Sequence, residues 1–174
     1  MRRARLALFS ALVLTLAVAG PAAAAPPFHE RPGPQPPIDL AAGAPCDFAV
    51  TLTSEVDTGK TSVWEHEDGT LRILTRGYAS GTATNVEDGL TYTHAGGYRV
   101  DVVVQPDGSV EVSASGNLFA WYFEGEPVVG LSDGVFAISG HGSESYAADG
   151  SLLGARFFGG NAVDLCEALA PADG

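Results

Sequence analysis

The chain has 174 residues and carries nine Lys and Arg against 21 Asp and Glu, a formal net charge of −12. A field of that sign repels polyanions, so the composition argues against nucleic acid and anionic membrane surfaces, which are bound by neutralising phosphates with basic side chains. The length allows a single domain with a hydrophobic core of its own.

The N-terminus has the pattern of a secretory signal peptide over residues 1–25. Three arginines within the first five residues precede an almost wholly apolar run over 6–20, and small residues at 23–25 offer a cleavage site. The apolar run is shorter than the roughly 20 residues that a membrane-spanning helix needs. Cleavage would leave six basic residues against 21 acidic ones, a net charge of −15. We therefore expect a secreted, extracellular protein with no membrane attachment after cleavage.

Residues 26–45 read as a Pro-rich linker that is disordered. Seven of the eleven prolines lie there, with few apolar side chains between them. Proline lacks the N–H that a strand ladder or a helix requires, so a run of this composition disfavours both.

From Cys46 to residue 170 the sequence alternates between apolar and polar residues, which predicts strands with one buried face. No internal stretch keeps a helical period for three turns. The predicted strands cover 48–52, 61–67, 70–84, 90–94, 98–104, 110–115, 118–123, 135–142 and 152–158. The segment 70–84 is too long for one straight strand, and Gly77 and Gly81 suit a bend or a bulge within it.

An Asp-Gly dipeptide recurs five times between these runs, beginning at Asp68, Asp88, Asp107, Asp133 and Asp149. The glycine supplies the positive φ of tight hairpin turns, so the repeat predicts an antiparallel meander. Closing a meander into a barrel removes its edges. We expect an all-β, up-and-down barrel of about eight to ten strands. A two-sheet β-sandwich is the alternative, because the local pattern is the same.

The chain ends with a different pattern. Asn161 is a predicted N-cap for a short C-terminal helix over 162–169, followed by a tail at 171–174. Cys166 in this helix has one available partner, Cys46, and two cysteines so far apart in an exported chain predict a disulfide more readily than a metal pair.

Three segments resemble small secreted, disulfide-closed β-barrel proteins of high-GC actinomycetes. They are Val163-Asp-Leu-Cys166, Cys46-Asp-Phe48 and Gly81-Thr-Ala-Thr-Asn85. The resemblance covers roughly 46–169 and implies fold and location. The family has no assigned activity, so the resemblance implies no catalytic residue.

Motifs for catalysis or metal binding are missing from the sequence. His66, His94 and His141 stand at no ligand spacing, and no Gly-x-Ser-x-Gly elbow occurs. The acids that precede glycine are more simply explained as turn residues than as calcium ligands. We expect no cofactor and no metal, and we favour a protein that is not an enzyme. An enzyme would have to combine His94, His141, Tyr122 and Arg156 at a barrel mouth.

The segment 118–123 is apolar on both faces, so one face must lie against something other than solvent. This favours a monomeric, non-enzymatic binding module for a small apolar or aromatic ligand, with Trp64, Trp121 and Tyr122 as the stacking surfaces. The alternative is a structural or protein-interaction module at the cell envelope, in which the aromatic strand is exposed to a partner protein and the Pro-rich segment acts as a spacer.

Overall fold

The computed structural model describes residues 28–30 and 35–171. The segments expected to be a signal peptide and, beyond residue 171, a tail lie outside this range. The described chain is all-β with one short C-terminal helix, α1. The elements are β1 (Phe28–Glu30), β2 (Ile38–Leu40), β3 (Val50–Asp57), β4 (Lys60–Glu65), β5 (Leu71–Asn85), β6 (Thr91–Val104), β7 (Val110–Tyr122), β8 (Val128–Val129), β9 (Gly134–Tyr146), β10 (Leu152–Asp164) and α1 (Leu165–Ala168). No helix in the described part of the chain is long and apolar enough to cross a membrane.

Four of the five Asp-Gly dipeptides close hairpins, joining β4 to β5, β5 to β6, β6 to β7 and β9 to β10. Their glycines have φ between 70° and 86°. The fifth dipeptide, Asp133-Gly134, instead leads into β9 after a loop that contains β8. The meander expected from the turns is therefore present in β4 to β7 and in β9 to β10.

The strands form one sheet that is not closed into the expected barrel. Its order is β1-β4-β5-β6-β7-β9-β10-β8, with β3 paired to β5 and β2 paired to β3. The two ends of this order, β1 and β8, do not pair with each other, and β8 with β10 is the one parallel pair recorded. The two-sheet alternative is also incorrect in its simple form, because all of these strands belong to one hydrogen-bonded sheet.

The segment 70–84 forms most of a single 15-residue strand, β5, and the register shift expected there lies on its neighbour β3 instead, between Ser54 and Val56. Along one edge β5 pairs first with β4, through residues 71–76, and then with β3, through residues 79–85. A long strand is accommodated here because it serves two short partners in succession.

The sheet divides between β6 and β7. These strands pair with each other through Tyr98–Val104 and Val110–Gly116. The first half of β6 pairs only with β5, and the second half of β7 pairs only with β9. We call the continuous end, which carries the turns at 66–70, 105–109 and 147–151, the upper half. The divided end, with the turn at 85–90 and α1, is the lower half.

In the lower half the two parts of the sheet lie face to face around the first core. This core combines residues of β3 and β5 with residues of β9 and α1, although β6 and β7 stand between β5 and β9 in the strand order. Its buried members are Leu40, Cys46, Phe48, Val50, Leu52, Ala83, Val135, Ala137, Leu165 and Leu169. Phe119 and Trp121 pack against this core, while Ala120 and Tyr122 on the other face of β7 belong to a second core beneath the β7–β9 loop. Both faces of the 118–123 segment are therefore covered.

A row of glycines marks the line along which the sheet folds. Gly77, Gly116, Gly140 and Gly160 lie in one cross-strand register, interrupted by Tyr98 on β6. We call these four residues the glycine band. A Cβ on Gly116 would lie 2.2 Å from the carbonyl oxygen of Gly97, and one on Gly160 would lie 2.2 Å from that of Ser139. Backbones approach so closely here that a side chain would force the neighbouring strand to move.

The predicted disulfide is confirmed, since Cys46 and Cys166 are bonded across 120 residues with a Cα–Cα distance of 5.2 Å. We call this disulfide and the C-terminal helix that carries Cys166 the clasp. The helix is shorter than expected, and its N-cap is Asp164, whose carboxylate accepts hydrogen bonds from the amides of Cys166 and Glu167. Asn161 is not the cap, because β10 stays paired with β9 as far as Asp164.

The folded part of the chain begins before Cys46. Ile38–Leu40 pairs with Val50–Leu52, Leu40 is buried in the first core, and Phe28–Glu30 pairs with Thr61–Val63. The expected linker at 26–45 therefore contains two short strands. Ile38 and Leu40 alternate with Asp39 directly after the last consecutive prolines, so this segment has both the N–H groups and the apolar face that a strand needs.

Candidate functional site

All of the basic residues in the described part of the chain lie on one face of the sheet. Directly opposed residues of antiparallel strands share a face. The register therefore places these side chains together, on what we call the outer face. The five residues, each exposed, are Lys60, Arg72, Arg76, Arg99 and Arg156. In a chain of net charge −12 this is a marked separation of charge.

Three of these cations stand directly opposite one another on adjacent strands. Lys60 on β4 is opposite Arg76 on β5, and Arg76 is opposite Arg99 on β6. The same register continues through Ser115 on β7 to His141 on β9. We call Lys60, Arg76, Arg99 and His141 the basic row. Since neighbouring strands are about 4.8 Å apart, the row extends for about 19 Å across the sheet.

The basic row borders a wide, shallow groove of about 850 Å³. The groove runs across the strands, along the line where the sheet folds over itself. All four residues of the glycine band line it, together with Arg76, Arg99 and His141. Side-chain hydroxyls of Ser115 and Ser139 also lie along it.

Asp101 is the acid nearest to the row in register. The guanidinium of Arg72 donates from Nε and Nη2 to its two carboxylate oxygens, at 2.9 and 2.6 Å, and Arg99 donates to it at 3.2 Å. These hydrogen bonds, that of Arg72 foremost, lower the pKa of Asp101 below its ordinary value. Arg76 and Lys60 make no ion pair with any residue in the described ranges. The row thus keeps uncompensated positive charge at its β4–β5 end.

The three aromatic residues expected to hold a ligand are not brought together. Trp64 lies on the outer face opposite Arg72, half-buried at the upper end of β4. Trp121 packs against the first core, and Tyr122 is buried in the second core on the opposite face of β7.

Three tyrosines donate their phenolic hydroxyls to carboxylates. Tyr98 donates to Asp57 at 2.8 Å, and Tyr122 and Tyr146 both donate to Glu144. Burial first, and then the neighbouring carboxylate, raises the pKa of each of these phenols well above its ordinary value of 10. We call them the carboxylate-bonded tyrosines. Their phenols stay neutral and serve as hydrogen-bond donors.

The set of residues named for an enzyme is also dispersed. The ring of His94 lies between the two layers of the lower half, with Nε2 2.9 Å from the carbonyl oxygen of Ile138 and the ring centroid 5.6 Å from that of Phe119. His141 and Arg156 share the outer face, whereas Tyr122 lies on the inner one. The described residues contain no group of three His, Cys, Asp or Glu placed to hold a metal ion.

Three of the turn aspartates are used within their own turns. Asp68, Asp107 and Asp149 each accept a hydrogen bond from the amide two residues on. Hydrogen bonds from the Thr or Ser at that position lower the pKa of each carboxylate below its ordinary value. This geometry agrees with the interpretation of the Asp-Gly pairs as turn residues.

Sequence reasoning missed the basic row. The spacing of Arg72 and Arg76 on one strand places both on the same face, and that signal was available. The alignment of Lys60, Arg76 and Arg99 depends on the register of the two hairpins that join their strands, and the sequence reasoning located those turns without deriving the register from them.

Comparison of the chain with protein-family models, with curated proteins and with solved structures finds no match. The resemblance to small secreted actinomycete proteins stays a prediction from the sequence motifs.

Proposed function

We propose that this protein is an exported, non-catalytic binding module that holds an anionic ligand on its outer face through the basic row. The observation that carries the proposal is the direct opposition of Lys60, Arg76 and Arg99 on three adjacent strands. The disulfide supports the location, because such bonds persist in oxidising compartments and extracellular proteins.

Like charges placed directly opposite each other destabilise a sheet. Asp101 pairs with Arg72 and Arg99, but in the part of the chain that the structure describes no acid forms an ion pair with Lys60 or Arg76. Local rules of this kind are broken most often at functional sites. An anion seated between the opposed cations would relieve the repulsion and form charge-assisted hydrogen bonds with the guanidinium groups.

The packing of the aromatic residues favours an interaction surface over an internal pocket for an apolar ligand. Trp121 and Tyr122 fill two separate cores, so neither presents a free ring face to the other. The groove beside the outer face is bordered by Arg76, Arg99 and His141. Of the two functions expected from the sequence, the interaction module therefore has the better support, with an anionic partner in place of an aromatic contact.

The test is a binding titration of the purified chain with soluble polyanions at low and high salt. The double variant Arg76→Gln/Arg99→Gln should lose most of the binding. The control Val86→Glu/Leu90→Glu changes the net charge by the same amount at exposed positions of the 85–90 turn, away from the outer face, and should bind like the wild type. Equal loss in both variants, or no binding to any polyanion, would refute the proposal.

A stability measurement separates loss of binding from loss of folding. Arg76→Gln removes a cation that faces like charges on both sides, so it should leave the unliganded protein as stable as the wild type, or more stable by about 0.2–1 kcal/mol. A variant that binds poorly because it is misfolded would instead unfold at lower denaturant concentration.

A further inference from the structure

We infer that the ligand of the basic row is a linear polyuronate, a polysaccharide with one carboxylate on each sugar residue, lying across the strands. This inference rests on the proposed function and names the class of ligand. Three features carry it: the spacing of the cations, the direction of the row and the charge of the rest of the protein.

The spacing and direction come from the sheet itself. Lys60, Arg76 and Arg99 stand one strand apart, about 4.8 Å, His141 stands two strands beyond Arg99, and the row runs perpendicular to the strands. A uronate chain of about that repeat, lying along the row, would bring carboxylates within reach of the three long cationic side chains. Arginine suits this role because its planar fork matches a carboxylate with two parallel hydrogen bonds.

The position of the row within the sheet favours sugars over an acidic peptide. An extended peptide is usually bound by pairing with a free sheet edge, with pockets for its alternate side chains. The basic row instead crosses β5 and β6, which are already paired on both sides. Ser115 stands between Arg99 and His141 in the register of the row, and its hydroxyl can bond to a sugar hydroxyl.

The overall charge favours an anion of low charge density. Duplex DNA carries one charge per about 1.7 Å, which is far denser than the row and would be strongly repelled by the acidic remainder of the protein. A polyuronate has a charge spacing close to that of the row. Screening over about 8 Å at physiological salt leaves the local cations dominant at short range.

The experiment measures the affinity of oligogalacturonates of two to eight residues for the purified chain by titration calorimetry. Affinity should rise with length up to four or five residues, the span of the basic row, and then level off. The Arg76→Gln/Arg99→Gln variant should bind the longer oligomers at least about tenfold more weakly, since each lost charge-assisted contact is worth about that factor. Methyl-esterified oligomers, which have no charge, should not bind. The Val86→Glu/Leu90→Glu control should stay within about twofold of the wild type, which is less than the effect of one such contact.

The outcomes separate the inference from the proposed function. If polyglutamate of equal charge binds as tightly as the oligogalacturonate, the choice of a sugar ligand is wrong while the anion-binding function stands. The same conclusion follows if affinity does not depend on oligomer length. If none of these anions binds, or if the Arg76→Gln/Arg99→Gln variant binds them as tightly as the wild type, the proposed function and the inferred ligand are both wrong.

Discussion

The glycine band gives a sharp test of how this sheet folds, through the single substitution Gly140→Ala. A Cβ on Gly140 would lie 2.1 Å from the carbonyl oxygen of Gly159 and 2.7 Å from Cε2 of Phe157. Real Cβ atoms essentially never approach another heavy atom within 3.0 Å. The β10 backbone would therefore have to move by about 1 Å, which strains the β9–β10 ladder.

The cost can be estimated from its two parts. Overpacking of a tight site typically costs about 1–3 kcal/mol, and weakening one ladder hydrogen bond adds about 1 kcal/mol. We expect Gly140→Ala to lower the free energy of unfolding by about 2–4 kcal/mol, a large share of the 5–15 kcal/mol of a typical domain. The site has no left-handed φ, so backbone strain does not contribute.

Gly159→Ala is the matched control, because Gly159 is on the neighbouring strand next to the same site. A Cβ there would meet nothing within 4 Å, and its φ is outside the left-handed region. Alanine at such a position restricts the unfolded chain and should be neutral or stabilise the protein by about 0.4–1 kcal/mol. Urea unfolding followed by tryptophan fluorescence measures both variants. The interpretation of the band would be refuted if Gly140→Ala stayed within about 0.5 kcal/mol of the wild type, a change typical of surface substitutions.

Three further predictions concern the clasp and the tyrosines. Replacing Cys46 and Cys166 by Ser should lower the free energy of unfolding by up to about 5 kcal/mol, which is the loop-closure entropy for a 120-residue separation. Denaturant unfolding of the oxidised wild type and of the Ser variant measures this difference. Asn85→Ala should lower the free energy of unfolding by about 1–3 kcal/mol, because buried Asn85 donates a hydrogen bond to the carbonyl oxygen of Leu169 and its loss leaves that acceptor unpaired. Thermal unfolding measures the change, and a value below about 0.5 kcal/mol would contradict this prediction. The carboxylate-bonded tyrosines have folded-state pKa values raised above 10, so the stability they confer is complete below pH 10 and is lost as the pH rises beyond it. A pH titration followed by tyrosinate absorbance should show that these three tyrosines ionise only as the protein unfolds in alkali. If they ionised while the protein stayed folded, their hydrogen bonds to carboxylates would be wrong.

The secondary structure was largely predictable because it depends on local chemistry. Alternating residues gave the strands, and Asp-Gly pairs gave the four hairpins. The length of the strands was less predictable, since the segments expected at 90–94 and 98–104 are joined in β6, through Gly96 and Gly97. Glycines that looked like ends of strands are sites of close approach between strands.

The candidate site was predictable only in part, for a reason that concerns register. Trp64, Trp121 and Tyr122 were chosen because aromatic residues are good binding surfaces, but the fold uses Trp121 and Tyr122 to fill its two cores. Among the arginines of the described chain only Arg156 was named from the sequence, because each is an ordinary exposed residue of a strand. The significance of Arg76 and Arg99 comes from their alignment with Lys60 across three consecutive strands.

The all-β class, the turns and the Cys46–Cys166 disulfide follow from the amino-acid sequence, because alternation, positive-φ glycines and a lone pair of cysteines are properties of short segments or of composition. That the sheet stays open and folds over itself along the glycine band, and that five cations share one face, is visible only in the folded chain. Both depend on which residues of neighbouring strands stand opposite each other. That register is set by the packing of the whole sheet, since a shift of one residue would exchange its two faces.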